Sequence, residues 1–355
     1  MNIDMKINVL NVLKAIGVFE IAKHFSKRNV LILAYHGVEI EDESEFSPKL
    51  FIKRSTLKER MACLKENGFN VVPLNEATDM SNWDSLPDNS IVITVDDGWY
   101  STLSEAHDVF SYYSFPYTLY VTSYYVDKRS PVLNVVLRYI IWKTNINSVG
   151  FDQLEEDGLK GTYRLTSLPE KQRAELVLVE YLNSLPTHET RLDFISRLAN
   201  LLSVDYEDIE KSRRLSLLSK DEIIAIATQG VNIQLHTHRH TIPHDDADGF
   251  KDEIIQNRLA LEGAVKSKMT HFCYPSGDYA SESGAMLRGI GVQSATTCHA
   301  GFVSKQTNLY YLPRFLDGEN IPQIVFEAEI CGVLEFFRKL KRMIKPLNHF
   351  LPWAY

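Results

Sequence analysis

Cysteine is scarce: Cys63, Cys273, Cys298 and Cys331 stand alone in 355 residues, with no C-x-x-C spacing. That excludes a disulfide framework and fits a reducing compartment or plain buried thiols. Positive charge is not in excess. With 38 Lys and Arg against 46 Asp and Glu the net charge is −8, which argues against nucleic-acid partners, since phosphate contact wants a basic surface. No apolar run reaches the roughly 18 residues of a membrane span. A secretory h-region is also missing. Val9, Leu10, Val12, Leu13, Ile16, Val18, Phe19, Ile21 and Ala22 are interrupted by Asn11, Lys14, Glu20 and Lys23, the pattern of an amphipathic helix over residues 1–28. The cytoplasm is the expected location. Internal repeats and low-complexity tracts are lacking. What is present is ordinary for a globular protein: 45% hydrophobic and 24% charged residues, which rules out disorder and collagen. The length allows two domains, or one large α/β barrel with an insertion.

Apolar runs alternate with helical periods. Asn29 to Ala34, ending in Tyr35-His36-Gly37, reads as a buried parallel strand, as does Ser90 to Val95, which runs into Asp96-Asp97-Gly98. Helices are predicted over 55–67 and about 102–113, and strands over 69–73 and 117–122. From about 130 to 215 the alternation breaks, and 170–185 and 189–202 read as helices of an insertion. Ser219 to Glu222 forms an N-capping box, followed by strand 231–235 into His236-Thr237-His238-Arg239-His240, helix 250–266, strand 269–274 into Pro275-Ser276-Gly277, and strands 292–297 and 309–315. This is an α/β protein with parallel strands.

Three polar clusters each follow a predicted strand: His36, Asp96-Asp97, and His236/His238/His240. In a βα barrel the strand C-termini converge on one face, so residues 200 positions apart can meet there. Adjacent carboxylates after a buried strand are costly unless a cation or proton separates them. Two histidines four apart with one carboxylate leave coordination positions open for water and substrate, the catalytic rather than the structural metal pattern. Taken singly, Asp-Asp-Gly is more often a turn and a strand-end histidine more often a hydrogen-bonded structural residue. Cys298-His299 as a nucleophile pair lacks a third, orienting residue.

Thr94-Val-Asp-Asp-Gly98, His236-Thr-x-x-His240 and Tyr274-Pro-Ser-Gly277, in this order, resemble the polysaccharide deacetylase family (NodB-like, carbohydrate esterase family 4) over residues 29–128 and 218–318. The early Tyr35-His36-Gly37 is similar to the circularly permuted branch that N-deacetylates exopolysaccharides. The resemblance implies a distorted (β/α)7 barrel, here with a helical insertion over 129–217. It implies one divalent metal, zinc by ligand type, on Asp97, His236 and His240. Asp96 takes the place of the catalytic base, His36 of the acid that protonates the leaving amine, and the Ser276 backbone N–H of an oxyanion donor. The residue types suit amide hydrolysis. A cation polarises a poor electrophile, a carboxylate beside a cation stays charged, and histidine titrates near neutrality. The family's arginine two residues before the motif proline is here Cys273. Arg314, from another strand, is the expected substitute, ahead of Arg239. The family's late Leu-x-His motif is missing, which favours His36 as the acid and leaves His299 as its alternative; His238 is left out of the metal set.

The expected activity is therefore metal-dependent removal of N-acetyl groups from sugars of a surface glycan or its lipid-linked precursor. Rival readings are an O-acetyl or N-formyl sugar deacylase, an inactive glycan-binding barrel, and a non-haem Fe(II) oxygenase; the strand–helix alternation disfavours the last. Residues 331–355 form a basic tail. Between Phe336 and Lys345 it holds five bases and no acid, with Phe336, Phe337, Leu340, Met343 and Ile344 at helical spacing and Phe350, Leu351, Trp353 and Tyr355 beyond. Either this helix packs on the barrel or residues 336–355 attach the protein peripherally to the anionic inner membrane surface.

Overall fold

The computed structural model describes residues 3–154 and 159–344. Its main sheet has eight strands: β1 (Leu31–Tyr35), β2 (Asn70–Val71), β3 (Ser90–Val95), β4 (Tyr117–Val121), β5 (Asn232–Leu235), β6 (His271–Cys273), β7 (Ser294–Thr296) and β8 (Phe315–Leu316). Seven lie in the order β7-β6-β5-β4-β3-β1-β8, with β2 paired to β3, and every pairing is parallel. The segment around β8 touches both ends of the curl. Leu312 bridges Thr296 of β7, and Phe315 pairs with Leu33 of β1. The chain is thus a distorted (β/α)7 barrel, with β1 and β3 buried along their whole length because helices cover one face and the barrel interior the other.

The two-residue period decides which side chains point inward. Leu31, Leu33, Tyr35, Ile91, Ile93 and Val95 join the core shared with the helices. Ile32, Val92, Tyr120, Cys273 and Leu312 join a smaller core on the opposite, inner face. Continuing that inner parity past the strand ends selects His36, Asp96, His236 and Arg314, so the polar residues are gathered at the mouth by the same alternation that buries the apolar ones.

Helices Leu133–Lys143, Leu168–Ser184, His188–Leu201 and Tyr206–Ser212 lie between β4 and β5 and build their own core around Leu137, Phe151, Leu178 and Phe194. Trp99 and Phe51 of the barrel mouth belong to that same core. The hairpin Ser148–Gly150/Thr162–Arg164 within this block has no counterpart in the sequence reading, because strands of three residues carry too little period to detect. After the block, the Ser219 capping box is present: Ser219 N–H donates to Glu222 Oε2 (2.7 Å) and Glu222 N–H to Ser219 Oγ (3.3 Å).

Two expectations change. The N-terminal segment is two helices, Ile3–Ala15 and Val18–Ser26, broken where Gly17 adopts φ +82, a conformation that glycine takes without strain. The strand expected over 309–315 is a 3₁₀ turn, Leu309–Tyr311, with only Phe315–Leu316 as strand. Asn308 caps the turn and Pro313 cannot donate to a ladder. The C-terminal helix spans Val333–Ile344. The tail aromatics Phe350, Leu351, Trp353 and Tyr355 fall outside the described residues.

Candidate active site

The Asp96 N–H donates to Tyr35 O (2.9 Å), extending the β3–β1 ladder by one residue. The chain then turns: Asp97 has φ +71 and Gly98 φ +88. This turn sends neighbouring carboxylates to different partners. Asp97 Oδ2 accepts from Trp99 Nε1 (2.8 Å), while its Oδ1 lies 3.2 Å from His236 Nε2 and 3.3 Å from His240 Nε2. His236 Nδ1 donates to Cys273 O (2.8 Å), and the His236 N–H donates to Asn257 Oδ1 (3.0 Å). A carbonyl only accepts, so Nδ1 carries a proton and Nε2 is the ring nitrogen that faces Asp97. Thr237 (φ +61) and His240 (φ +58) are also left-handed. Such positions cost of order 1–3 kcal/mol each and persist where surrounding structure over-determines them.

The donor set fits a divalent cation. Asp97 Oδ1 is buried without a hydrogen-bond partner, an arrangement that is costly unless a cation or proton fills the space. Zinc bonds of about 2.0–2.2 Å place tetrahedral ligand atoms about 3.3–3.6 Å apart, close to the two observed separations. Burial alone would raise the Asp97 carboxyl, but His236 and His240 outweigh it and hold it well below the usual carboxylate range. Burial alone would lower His236, but Asp97 and Asp96 raise it. Asp96, His236 and Cys273 form a second cluster of metal-ligating types. It fits less well, because Arg314 already occupies it and burial pushes the Cys273 thiol well above its usual value. His240 is the most exposed member of the first set. His240→Ala is therefore expected to abolish stoichiometric divalent-metal binding while leaving the unfolding free energy of the metal-free protein within about 0.5 kcal/mol of wild type. One equivalent of zinc in the purified variant would place the metal elsewhere.

Asp96 is held differently. Arg314 Nη1 and Nη2 donate to Asp96 Oδ1 and Oδ2, both at 2.8 Å, a bidentate pair. The guanidinium is itself fixed by Thr297 O (3.0 Å), Thr94 Oγ1 (3.1 Å) and Cys273 Sγ (3.1 Å), and is fully buried. Burial would raise the Asp96 carboxyl; Arg314 outweighs it and leaves it below its usual value. His36 Nε2 stands 3.7 Å from Asp96 Oδ2.

The remaining candidates lie around this centre. Ser276 is exposed, left-handed (φ +56), and follows Pro275 at the end of β6. The next residue, Gly277, is obligatory: its φ is +70 and a Cβ there would lie 2.6 Å from Cys298 Cβ. His299 pairs through Nδ1 with Tyr279 Oη (3.4 Å). His238 Nδ1 meets Ser123 Oγ (2.9 Å), and Arg239 pairs with Glu253 (2.6 Å); both turn away from Asp96. Thr94, the first residue of the Thr94–Gly98 motif, also supports the site, as do Trp99, which had no signal beyond its adjacency to Asp97, and Asn257, which lies mid-helix and had none.

Residues 182–295 match the polysaccharide deacetylase family model. That segment holds His236 and His240 and lies C-terminal to Asp96-Asp97. No curated protein matches the sequence. Among solved structures, the Streptococcus pyogenes deacetylase PplD, determined in complex with acetate, is 14% identical with a TM-score of 0.53, covering 86% of this chain and 97% of that one. IcaB from Ammonifex degensii is 15% identical with a TM-score of 0.53 over 86% of this chain and 96% of that one. A de-N-acetylase from Aggregatibacter actinomycetemcomitans is 13% identical with a TM-score of 0.53, covering 84% and 99%. At such identities the likeness to these structures is one of fold. The family model thus spans β5 to the start of β7, and along most of its length the chain has the barrel fold of these deacetylase structures.

Proposed function

We infer that the chain is a divalent-metal-dependent carbohydrate deacetylase that removes N-acetyl groups from amino sugars of a surface polysaccharide or its lipid-linked precursor. One observation carries this reading. Two adjacent carboxylates are given separate tasks, Asp97 facing two imidazoles and Asp96 clamped by a buried arginine. A cation held by Asp97, His236 and His240 supplies Lewis acidity toward the amide carbonyl and acidifies water. Asp96, kept ionised by Arg314, accepts the proton of the attacking water. His36, 3.7 Å from Asp96, donates a proton to the departing amine, which leaves poorly as an anion. The Ser276 N–H is the backbone donor to the oxyanion that forms at the carbonyl. The C–N bond breaks, a C–O bond forms, and acetate and a free amine are released.

The test is acetate release over a panel of N-acetylated, O-acetylated and N-formylated sugars and oligosaccharides, with and without chelator. Turnover of N-acetyl substrates that chelation removes and zinc restores is expected. Chelator-resistant turnover overturns the metal dependence, and preference for O-acetyl or N-formyl groups, or binding without turnover, overturns the reading in favour of a named rival. A second measurement assigns the acid: His36→Ala is expected to lose about 10²–10⁴-fold in kcat with metal retained, and His299→Ala to stay near wild type. The reverse outcome would transfer the role to His299.

A further inference from the structure

The first and last described helices meet on the outside of the barrel. Ser26 Oγ donates to Cys331 O (3.3 Å), so helix Val18–Ser26 ends where helix Val333–Ile344 begins. Lys14 of helix Ile3–Ala15 pairs with Glu327, one turn before that junction. Helix Ile3–Ala15 is apolar on two sides. One side is covered, through Leu10 and Leu13 against the core. The other presents Met5, Val9 and Val12, at spacings of four and three, with Ile16 66% exposed just beyond. Its two neighbours do the same, with Phe25 82% exposed and Phe336 61% exposed. A helix apolar on both sides ordinarily has a partner on both, and contiguous uncovered apolar surface of this kind marks an interaction site.

Charge says what the partner is. Residues 1–28 carry five bases against two acids, and residues 333–355 five against one, in a chain of net charge −8. The acidic surplus thus lies wholly in the rest of the chain, while the uncovered apolar residues sit among bases. Lys339 and Arg342, 60% and 68% exposed, flank Phe336 and Leu340. No helix among the described residues is long and apolar enough to cross a membrane, and apolar residues framed by Lys and Arg are how a protein lies in a bilayer interface instead.

We propose that helices Ile3–Ala15, Val18–Ser26 and Val333–Ile344 together form one face that docks on an anionic lipid bilayer. The proposal is independent of the deacetylase reading. Full-length protein is sedimented with vesicles of phosphatidylcholine alone, or of phosphatidylcholine with about one third phosphatidylglycerol. Binding to the anionic vesicles only, weakening with salt, is expected. Val12→Glu with Phe25→Glu, far from the catalytic residues, lowers binding at least about tenfold. Lys339→Gln and Arg342→Gln lower it by up to about fivefold each and flatten the salt dependence. Unchanged unfolding midpoints verify that these variants fold. The proposal is overturned if the full chain fails to bind at low salt, or if Val12→Glu with Phe25→Glu binds like wild type while deletion of residues 345–355 abolishes binding. A dimer in solution that those two substitutions dissociate, without vesicle binding, also overturns it and assigns the face to a second copy.

Discussion

Asp96→Asn is expected to lower kcat by about 10²–10⁴-fold while one equivalent of metal remains bound. An amide cannot accept a proton from water, and Asp97, His236 and His240 are untouched. The loss is not confined to the proton. Arg314 donates to both Asp96 oxygens; in the variant one of those positions becomes an NH₂ that faces another donor. The arginine would then hold its charge in a buried site without a full countercharge, so the unfolding midpoint falls as well. Metal analysis beside single-turnover acetate release separates the effects. Wild-type kcat in Asp96→Asn would remove the base from Asp96, and loss of metal would move Asp96 into the ligand set.

Arg314→Met is the largest expected change in stability, about 3–5 kcal/mol, because breaking a buried pair from one side leaves the other charge uncompensated. Its pH dependence is distinctive. In the wild type Asp96 has a folded pKa below its unfolded one, owing to Arg314. The pair therefore contributes stability above the unfolded carboxylate range and loses it as pH falls through the depressed value. Without Arg314, only His36 and His236 oppose the burial of Asp96, so its carboxylate is held less firmly and the variant's deficit is largest at neutral pH and shrinks relative to wild type on acidification. Denaturant midpoints measured from acid to neutral pH test this. A deficit that stayed constant across that range would mean that the arginine stabilises by packing rather than by its charge.

The sequence carried the barrel well because its signals are local and repeated. Continuous apolar runs such as Ser90 to Val95 announce strands buried on both faces, and the polar triplets after them mark the mouth. Arg314 was harder: no spacing ties it to Asp96, and only the inner parity it shares with Leu312 explains its direction. Trp99 looks like an ordinary aromatic after a turn, and its indole N–H becomes an Asp97 partner only through the left-handed Asp97–Gly98 geometry. Asn257 is one polar residue on a long helix, yet it fixes the His236 backbone and also donates to Val121 O (2.9 Å). The break at Gly17 was hidden because the apolar pattern runs through it. The outward stripe of helix Ile3–Ala15 was read as one half of an amphipathic pattern, which sequence alone does not divide into covered and uncovered sides.

The Asp96–Arg314 pair spans 218 positions of chain, and this bears on when the enzyme becomes active during its own synthesis. Contacts of such separation form late, since a large loop must close before they are rewarded. Until β8 docks beside β1, Asp96 has no arginine, and a growing chain that has already paired β1, β3 and β4 holds the proposed base without its partner. Such an intermediate also lacks His236 and His240, so on the proposed mechanism it is inactive. Activity then reports completion of the barrel's last strand, and refolding followed by acetate release should lag refolding followed by helix content.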